Sequence, residues 1–239
     1  MKGQYRKGFR QGIKMGLESS RIKRKNEVLA SQQERLTIVD EEGNPLGVAT
    51  RDEVHRQGHW HETFHCWVVS RETKGLYFHF QLRSTEKKDF PNRFDVAAAG
   101  HLLAGEKVAD GVREVEEELG LSVTLSDLIP LGVVKDRLKI GKFLDNERCH
   151  VFLYENKMPI DAYQLQQGEV SGIVKTEFQS FYELCQGKRE EVLVEGYKIG
   201  SKGKVPLKEF VPKSRFVPHE PAYFKEVMDL ILGRFQQTI

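Results

Sequence analysis

The segment from Val108 to Gly120 constrains this chain most, because one helix there carries both an apolar stripe and an acidic face. Apolar residues recur at steps of four, three and four, the spacing of an amphipathic α-helix. They are Val108, Val112, Val115 and Leu119. Another face carries Glu114, Glu117 and Glu118, which repel one another by roughly 0.2–0.5 kcal/mol per pair on a solvated helix. A divalent cation reverses that repulsion, since Mg²⁺ takes oxygen ligands from carboxylates and substrate phosphates together.

Three residues around these glutamates also fit a site. Arg113 directly precedes the triplet, and its planar fork can pair with a carboxylate and hold it in one orientation. Gly120 follows the last helical residue, as expected of a left-handed C-terminal cap. Gly100 ends an apolar run at a point where the backbone can approach a ligand closely. The whole segment therefore predicts a loop, a helix and a second loop built around an acidic site.

At these residues the sequence resembles the Nudix (MutT-type) hydrolases. Their box reads Gly, five residues, Glu, seven residues, Arg-Glu, an aliphatic residue, any residue, Glu-Glu, any residue, Gly and an aliphatic residue. The matching positions are Gly100, Glu106, Arg113, Glu114, Val115, Glu117, Glu118, Gly120 and Leu121. One departure is that only six residues separate Glu106 from Arg113. The shortfall lies at the junction of loop and helix, so it leaves the role of Glu106 open.

The flanking sequence resembles the isopentenyl diphosphate isomerase-like branch of this superfamily, over most of residues 34–235. In the isomerases a catalytic cysteine directly precedes the Gly-His pair, whereas here Ala99 precedes Gly100-His101 and the glutamates of the box are intact. A methyl group cannot replace a thiol in proton transfer. The resemblance therefore implies a hydrolase. An isomerase, and a nucleic-acid-binding or regulatory protein on the same scaffold, are kept as alternatives.

The resemblance implies cleavage of a diphosphate linkage in a nucleoside diphosphate derivative or a related organic diphosphate, with Mg²⁺ or Mn²⁺. By the family pattern Glu117 and Glu118 bind metal, Glu114 is a ligand or general base, and Arg113 orients Glu114. These four residues form the predicted catalytic set. The carbonyl of Gly100 and one acid outside the helix complete the metal set, and we prefer Glu169 to Glu147 for that acid.

Further polar residues lie where the isomerase-like resemblance is densest. By that pattern His55, His61, His101 and Glu147 correspond to a second metal site, although we favour partly buried, hydrogen-bonded histidines. The phosphate-binding candidates are Arg83, Lys87 and Lys88, which precede the catalytic strand. We give equal weight to a solvated loop for these three cations.

The bulk properties predict a single domain with extensions. The chain has 239 residues, 39% of them hydrophobic, and no apolar run of membrane-spanning length. Its three cysteines are isolated from one another, which favours a reducing, cytoplasmic location. Residues 1–33 form a basic extension, which we interpret as loosely ordered rather than bound to nucleic acid. We expect the partner to be a small diphosphate and expect no contact with a membrane. Whether the protein forms a homodimer is left open.

The remainder, residues 34–239, is predicted to be the Nudix domain with an added C-terminal hairpin and helix. Strands interleaved with helices indicate an α/β fold, and the resemblance implies an α/β/α sandwich with a mixed sheet and a loop–helix–loop catalytic motif. We expect strands at 129–134 and 149–154, joined by a connection at 138–146. A puzzling segment at 189–216 is interpreted as the added hairpin, and 221–235 as a terminal helix.

Overall fold

An eleven-stranded sheet forms the centre of the computed structural model, which describes residues 33–236. The strands are β1 (Arg35–Val39), β2 (Pro45–Thr50), β3 (Trp60–Glu72), β4 (Gly75–Arg83), β5 (Phe94–Val96), β6 (Ala98–His101), β7 (Ile129–Ile140), β8 (Phe143–Glu155), β9 (Val170–Glu177), β10 (Glu191–Gly200) and β11 (Gly203–Pro212). The described α-helices are α1 (Arg51–Gln57), α2 (Arg113–Leu119), α3 (Phe178–Cys185) and α4 (Pro221–Gln236).

The sheet is mixed, as predicted. Its main path runs β11-β10-β9-β4-β3-β1-β2, while β5 pairs with β4 and β6 pairs with β3. Strand β8 runs parallel to β3 and antiparallel to β7. The long strand β3 therefore lies at the centre and touches both the loop before α2 and the β7–β8 hairpin, which positions both sides of the site.

Side chains of β3 alternate between two apolar layers, because successive residues of a strand point to opposite faces. Phe64, Cys66 and Val68 pack on the face covered by α2. Trp67 and Val69 pack on the opposite face, in the cluster that contains residues of α3 and α4. All of them are buried. Helices on both faces of one sheet give the α/β/α sandwich, so the predicted fold class is confirmed.

The catalytic helix begins later than its apolar pattern predicts. Residues Val108–Val112 form a 3₁₀ turn, and the α-helix starts at Arg113. A side chain at Gly111 would place its Cβ 2.6 Å from the Cβ of Phe64, so this turn lies directly on β3. The predicted stripe still packs inward at Val115, which is fully buried and contributes roughly 1.5–3 kcal/mol. Gly120 caps the helix with φ +66°, as predicted.

The predicted connection at 138–146 is wrong. Strands β7 and β8 continue through it as one long hairpin, with Leu138 paired to Asp145 and Ile140 paired to Phe143. The turn is tight because Gly141 adopts the left-handed region at φ +60°. The polar residues of this segment suggested a loop, but they lie on a strand that lines a cavity.

The C-terminal additions follow the prediction. Strands β10 and β11 form an antiparallel hairpin at the edge of the sheet, with pairing that runs from Glu191 with Pro212 to Gly200 with Gly203. Helix α4 closes one apolar layer. No helix of residues 33–236 is long and apolar enough to cross a membrane. The basic cluster between Lys2 and Lys25 lies outside the described residues.

Candidate active site

The predicted metal set converges on one cavity of about 520 Å³, which we call the inner cavity. The residues of the set that line it are Gly100, Glu114, Glu117, Glu118, Glu147 and Glu169. Arg113, Arg83 and Lys87 line it too, whereas Lys88 does not. The acids come from α2, from β8 and from the segment before β9. Residues that span 70 positions of the sequence, from Gly100 to Glu169, therefore form one site.

Gly100 lies where only a glycine leaves room for Glu114. It pairs with Phe64 in the sheet, and a Cβ built on it would lie 2.3 Å from the Cδ of Glu114. Burial raises the pKa of Glu114 to about 7. Because Gly100 has no side chain, the carboxylate of Glu114 can pack against the backbone at the end of β6.

Glu118 is the deepest acid of the three, with only 3% of its surface exposed. Its Oε2 accepts hydrogen bonds from Gln81 Nε2 at 2.9 Å and from the backbone N–H of Ala99 at 3.1 Å. Burial still raises the pKa of Glu118 to about 8. Glu117 is exposed at the cavity wall. The exposure of the carboxylates therefore differs along the acidic face, from the solvated Glu117 to the desolvated Glu118.

Arg113 ties the helix to the preceding loop. Its Nη2 lies 3.1 Å from Glu114 Oε1 and 3.3 Å from Glu106 Oε2, and it donates to the carbonyl of His101 at 3.3 Å. Glu106 also accepts from the N–H of Leu103 at 2.7 Å. Although the spacing is one residue short, Glu106 reaches Arg113, so it shapes the loop and holds the arginine.

A histidine cluster adjoins the inner cavity, which is lined by two of its members, His55 and His101. The ring nitrogens of His55, His61 and His101 lie within 4.8 Å of one another, and His61 forms a second such group with Asp145 and Glu147. Burial lowers the pKa of His61 and His101. Neither Nε2 has a hydrogen-bond partner among the described residues. A neutral imidazole whose Nε2 makes no hydrogen bond is a suitable metal donor, particularly beside carboxylates.

The three predicted phosphate contacts have different surroundings. Arg83 donates to Asp95 at 2.7 Å and twice to the carbonyl of Asp89, so its guanidinium is engaged inside the protein. Lys87 pairs with Glu169 at the cavity wall. Lys88 lies outside the inner cavity, 3.8 Å from Asp52. Of the three cations, Lys87 alone both lines the inner cavity and pairs with an acid of the predicted metal set, Glu169.

Sequence reasoning missed several residues of the site. Asp145 precedes Glu147 by two positions and shares its face of β8, a signal hidden while the segment was interpreted as a loop. His219 lies between Asp136, at 2.6 Å, and Asp95, at 3.7 Å. Burial opposes its charge, but hydrogen bonds to these aspartates raise the pKa of His219 to about 10. No sequence pattern predicts these two long-range contacts of His219.

Tyr223 of α4 connects the core to the site through a directed hydrogen-bond chain. Its hydroxyl accepts from Trp67 Nε1 at 3.2 Å, because an indole nitrogen only donates. The same hydroxyl lies 2.7 Å from His65 Nδ1, to which it donates when His65 carries its proton on Nε2. In that tautomer the Nε2 proton faces Glu147 Oε2 at 3.4 Å. The C-terminal helix thereby orients an acid of the site.

Replacing Tyr223 with phenylalanine is expected to lower the free energy of unfolding by about 1–3 kcal/mol, because two buried partners lose their hydrogen bond. Urea denaturation measures this change. Tyr182→Phe is the matched control, since its hydroxyl contacts the exposed Asp229 at 3.3 Å, and a shift within about 0.5 kcal/mol is expected there. Equal effects of the two substitutions would contradict the chain.

Comparison with known proteins identifies the family. No family model matches the chain. An uncharacterized Nudix hydrolase of Clostridium acetobutylicum is 42% identical over 205 residues, covering 85% of this chain and 100% of that protein. An isopentenyl-diphosphate delta-isomerase of Brevibacterium linens is 34% identical over 125 residues, covering 50% of this chain and 65% of the isomerase. A solved structure from Deinococcus radiodurans aligns with a TM-score of 0.49 at 20% identity, covering 65% of this chain and 89% of that one.

The Clostridium relative matches along its whole length, and its similarity extends far beyond the box. The chain therefore belongs to the Nudix hydrolases.

Proposed function

We propose that the inner cavity catalyses metal-dependent hydrolysis of a diphosphate linkage in a nucleoside diphosphate derivative or a related organic diphosphate. The observation that carries this proposal is the acidic face of α2. Glu114 and Glu118 are desolvated there, with pKa values raised to about 7 and about 8, and both share a cavity with the exposed Glu117. Such crowding is unfavourable unless a cation binds.

The donor set fits Mg²⁺ or Mn²⁺. Its members are carboxylate oxygens and the carbonyl of Gly100, which are the ligands that these hard cations prefer. Both carboxylate oxygens of Glu114 would lie within 2.7 Å of a Cβ on Gly100, so this carboxylate packs against the Gly100 backbone. When bound, the cation would neutralise the carboxylates and stabilise charge on the phosphoryl oxygens.

The protein's own residues then orient the reactants. Arg113 holds Glu114 through a 3.1 Å ion pair, which orients its carboxylate as a metal ligand or as the general base for the attacking water. Lys87 faces the cavity and offers its charge to the diphosphate. The charge of Glu169 helps to raise the pKa of Glu114. This coupling supports Glu169 as the acid outside the helix.

The histidine cluster supports a second metal position in the same cavity. His55, His61 and His101 converge with Asp145 and Glu147, and Asp145 Oδ1 lies 3.2 Å from His55 Nε2 and 3.5 Å from His61 Nε2. Imidazole with carboxylate is a suitable donor set for Mn²⁺ or Zn²⁺. Glu147 then belongs to this second position rather than to the glutamates of α2.

The isomerase alternative lacks its proton-transferring thiol. Ala99 lines the inner cavity where the isomerase pattern has cysteine. Cys66 and Cys149 are buried outside the lining of this cavity, and burial raises the pKa of both thiols. A buried thiol of high pKa is a poor proton donor and acceptor at neutral pH.

The test is an assay of a panel of organic diphosphates with Mg²⁺ and with Mn²⁺. We expect turnover that chelator abolishes, and we expect Glu117→Gln to lower kcat about 100-fold or more, equivalent to about 2.7 kcal/mol. Glu116→Gln is the control, because Glu116 is exposed on the same helix and does not line the cavity. Undiminished turnover in chelator would refute metal dependence.

The same panel distinguishes the alternative. Isopentenyl diphosphate is incubated with the enzyme and the products are analysed by NMR. Release of phosphate or diphosphate, or no reaction, agrees with the missing thiol at Ala99. Formation of dimethylallyl diphosphate would instead establish an isomerase.

A further inference from the structure

A second cavity opens directly from the inner one. This outer cavity has a volume of about 800 Å³ and shares several lining residues with the inner cavity, among them Arg51, His55, Lys87 and Phe143. A space of this size accommodates a ligand as large as a typical drug molecule. A substrate whose diphosphate lies beside α2 therefore has room for a large organic group beyond it.

The sign of the charge changes along the joined cavities. Ten Asp and Glu residues line the inner cavity against four Lys and Arg residues. Six Lys and Arg residues line the outer cavity against four Asp and Glu residues. Those cations are Arg51, Arg56, Arg83, Lys87, Lys88 and Lys142. An excess of one sign of charge attracts ligands of the opposite sign, so the inner part favours cations and the outer part favours anions.

The cations of the outer cavity are not fully neutralised. Asp52 is shared by Arg56 at 3.2 Å and Lys88 at 3.8 Å. Lys142 lies at the tip of the β7–β8 hairpin, and no acidic side chain within residues 33–236 forms an ion pair with it. Lys142 is exposed and lines the outer cavity without touching the inner one. Its charge is free to meet a ligand.

An aromatic wall stands beside these cations. Phe143 stacks on His55 with ring centroids 4.9 Å apart, and Phe90 meets the edge of Phe143 at 6.1 Å. Phe90 adopts φ +51° directly before a proline, a conformation that a bulky residue rarely takes. Backbone strain of this kind concentrates at ligand sites. The wall offers an apolar, flat surface to the organic group.

We propose that the outer cavity recognises a second phosphate, carried on the organic half of the substrate and separate from the scissile diphosphate, with Lys142 as its main contact. This inference rests on the proposed hydrolysis in the inner cavity. The preferred substrates are then phosphorylated organic diphosphates, in which an aromatic or apolar group lies against Phe90 and Phe143.

The test uses two matched pairs of probes, coenzyme A with dephospho-coenzyme A and NADP⁺ with NAD⁺, each differing by one phosphate remote from the diphosphate. With the full chain and Mg²⁺ we expect kcat/KM to be at least about tenfold higher for the phosphorylated member of one pair or both. Lys142→Ala should remove that preference through KM, and Lys142→Arg should retain most of it. Lys139→Ala is the control, because Lys139 is exposed on the same hairpin and lines neither cavity.

Equilibrium binding of the same probes to Glu117→Gln separates this inference from the proposed function. Turnover of both members of each pair with equal kcat/KM would overturn the second-phosphate site and leave the hydrolase intact. Tighter binding of a phosphorylated member, without turnover of any diphosphate of the panel by the wild type, would overturn the hydrolase and leave the site intact. A preference that Lys142→Ala does not change would also refute the inference.

Discussion

Replacing Gly100 with alanine is expected to lower kcat about 100-fold or more while the sheet remains folded. The added Cβ would lie 2.3 Å from Cδ and 2.4 Å from Oε1 of Glu114, so the carboxylate must move. Displacing a reacting group by about 1 Å costs about 100-fold in rate. Because Glu114 also pairs with Arg113 at 3.1 Å, the displacement would disturb the residue that orients it.

Steady-state kinetics with saturating Mg²⁺ measure the effect, and circular dichroism checks that the protein is folded. Gly233→Ala is the control, because a Cβ at that position of α4 meets no atom within 4 Å and alanine favours a helix. Normal turnover by Gly100→Ala would show that Glu114 does not need to pack against the Gly100 backbone. Glu114 would then be removed from the catalytic set.

Much of this site was predictable because its key residues are close in sequence. The spacing of Glu114, Glu117 and Glu118 fixes their geometry within one short helix, whatever the rest of the fold does. The left-handed cap at Gly120 is equally local. The start of the α-helix was misplaced because the approach of Gly111 to β3 is a tertiary contact, which an apolar period of four and three does not contain.

The residues missed by the sequence analysis are those brought in by long-range pairing. Asp145 reaches the cavity only because β7 and β8 extend past the predicted loop. His219 finds Asp95 and Asp136 through contacts that span more than 80 positions. Arg83 was predicted to bind phosphate, but the bond to Asp95 engages its guanidinium. Charge alone does not reveal which cations already have a partner.

Glu118→Gln is expected to abolish most turnover and, at the same time, to stabilise the metal-free protein at pH 8.5. Burial raises the pKa of Glu118 from 4.5 to about 8. The folded state therefore binds this proton more tightly than the unfolded state does. The stability that it contributes is present below pH 4.5 and is lost as the pH rises to about 8. Each unit of the pKa shift corresponds to about 1.4 kcal/mol, so the penalty at pH 8.5 amounts to a few kcal/mol.

Glutamine removes that penalty because it stays neutral, and its amide oxygen can still accept the hydrogen bonds from Gln81 and Ala99. In chelator at pH 8.5 the variant should therefore melt higher than the wild type, and the difference should shrink toward pH 5. Saturating Mg²⁺ should raise the melting temperature of the wild type far more than that of the variant, since a cation that binds only the folded state stabilises it. Glu116→Gln, on the exposed face of the helix, should follow the wild type in every condition. Equal melting temperatures for Glu118→Gln and wild type in chelator at pH 8.5 would mean that Glu118 is not held in the desolvated state on which its role as a metal ligand depends.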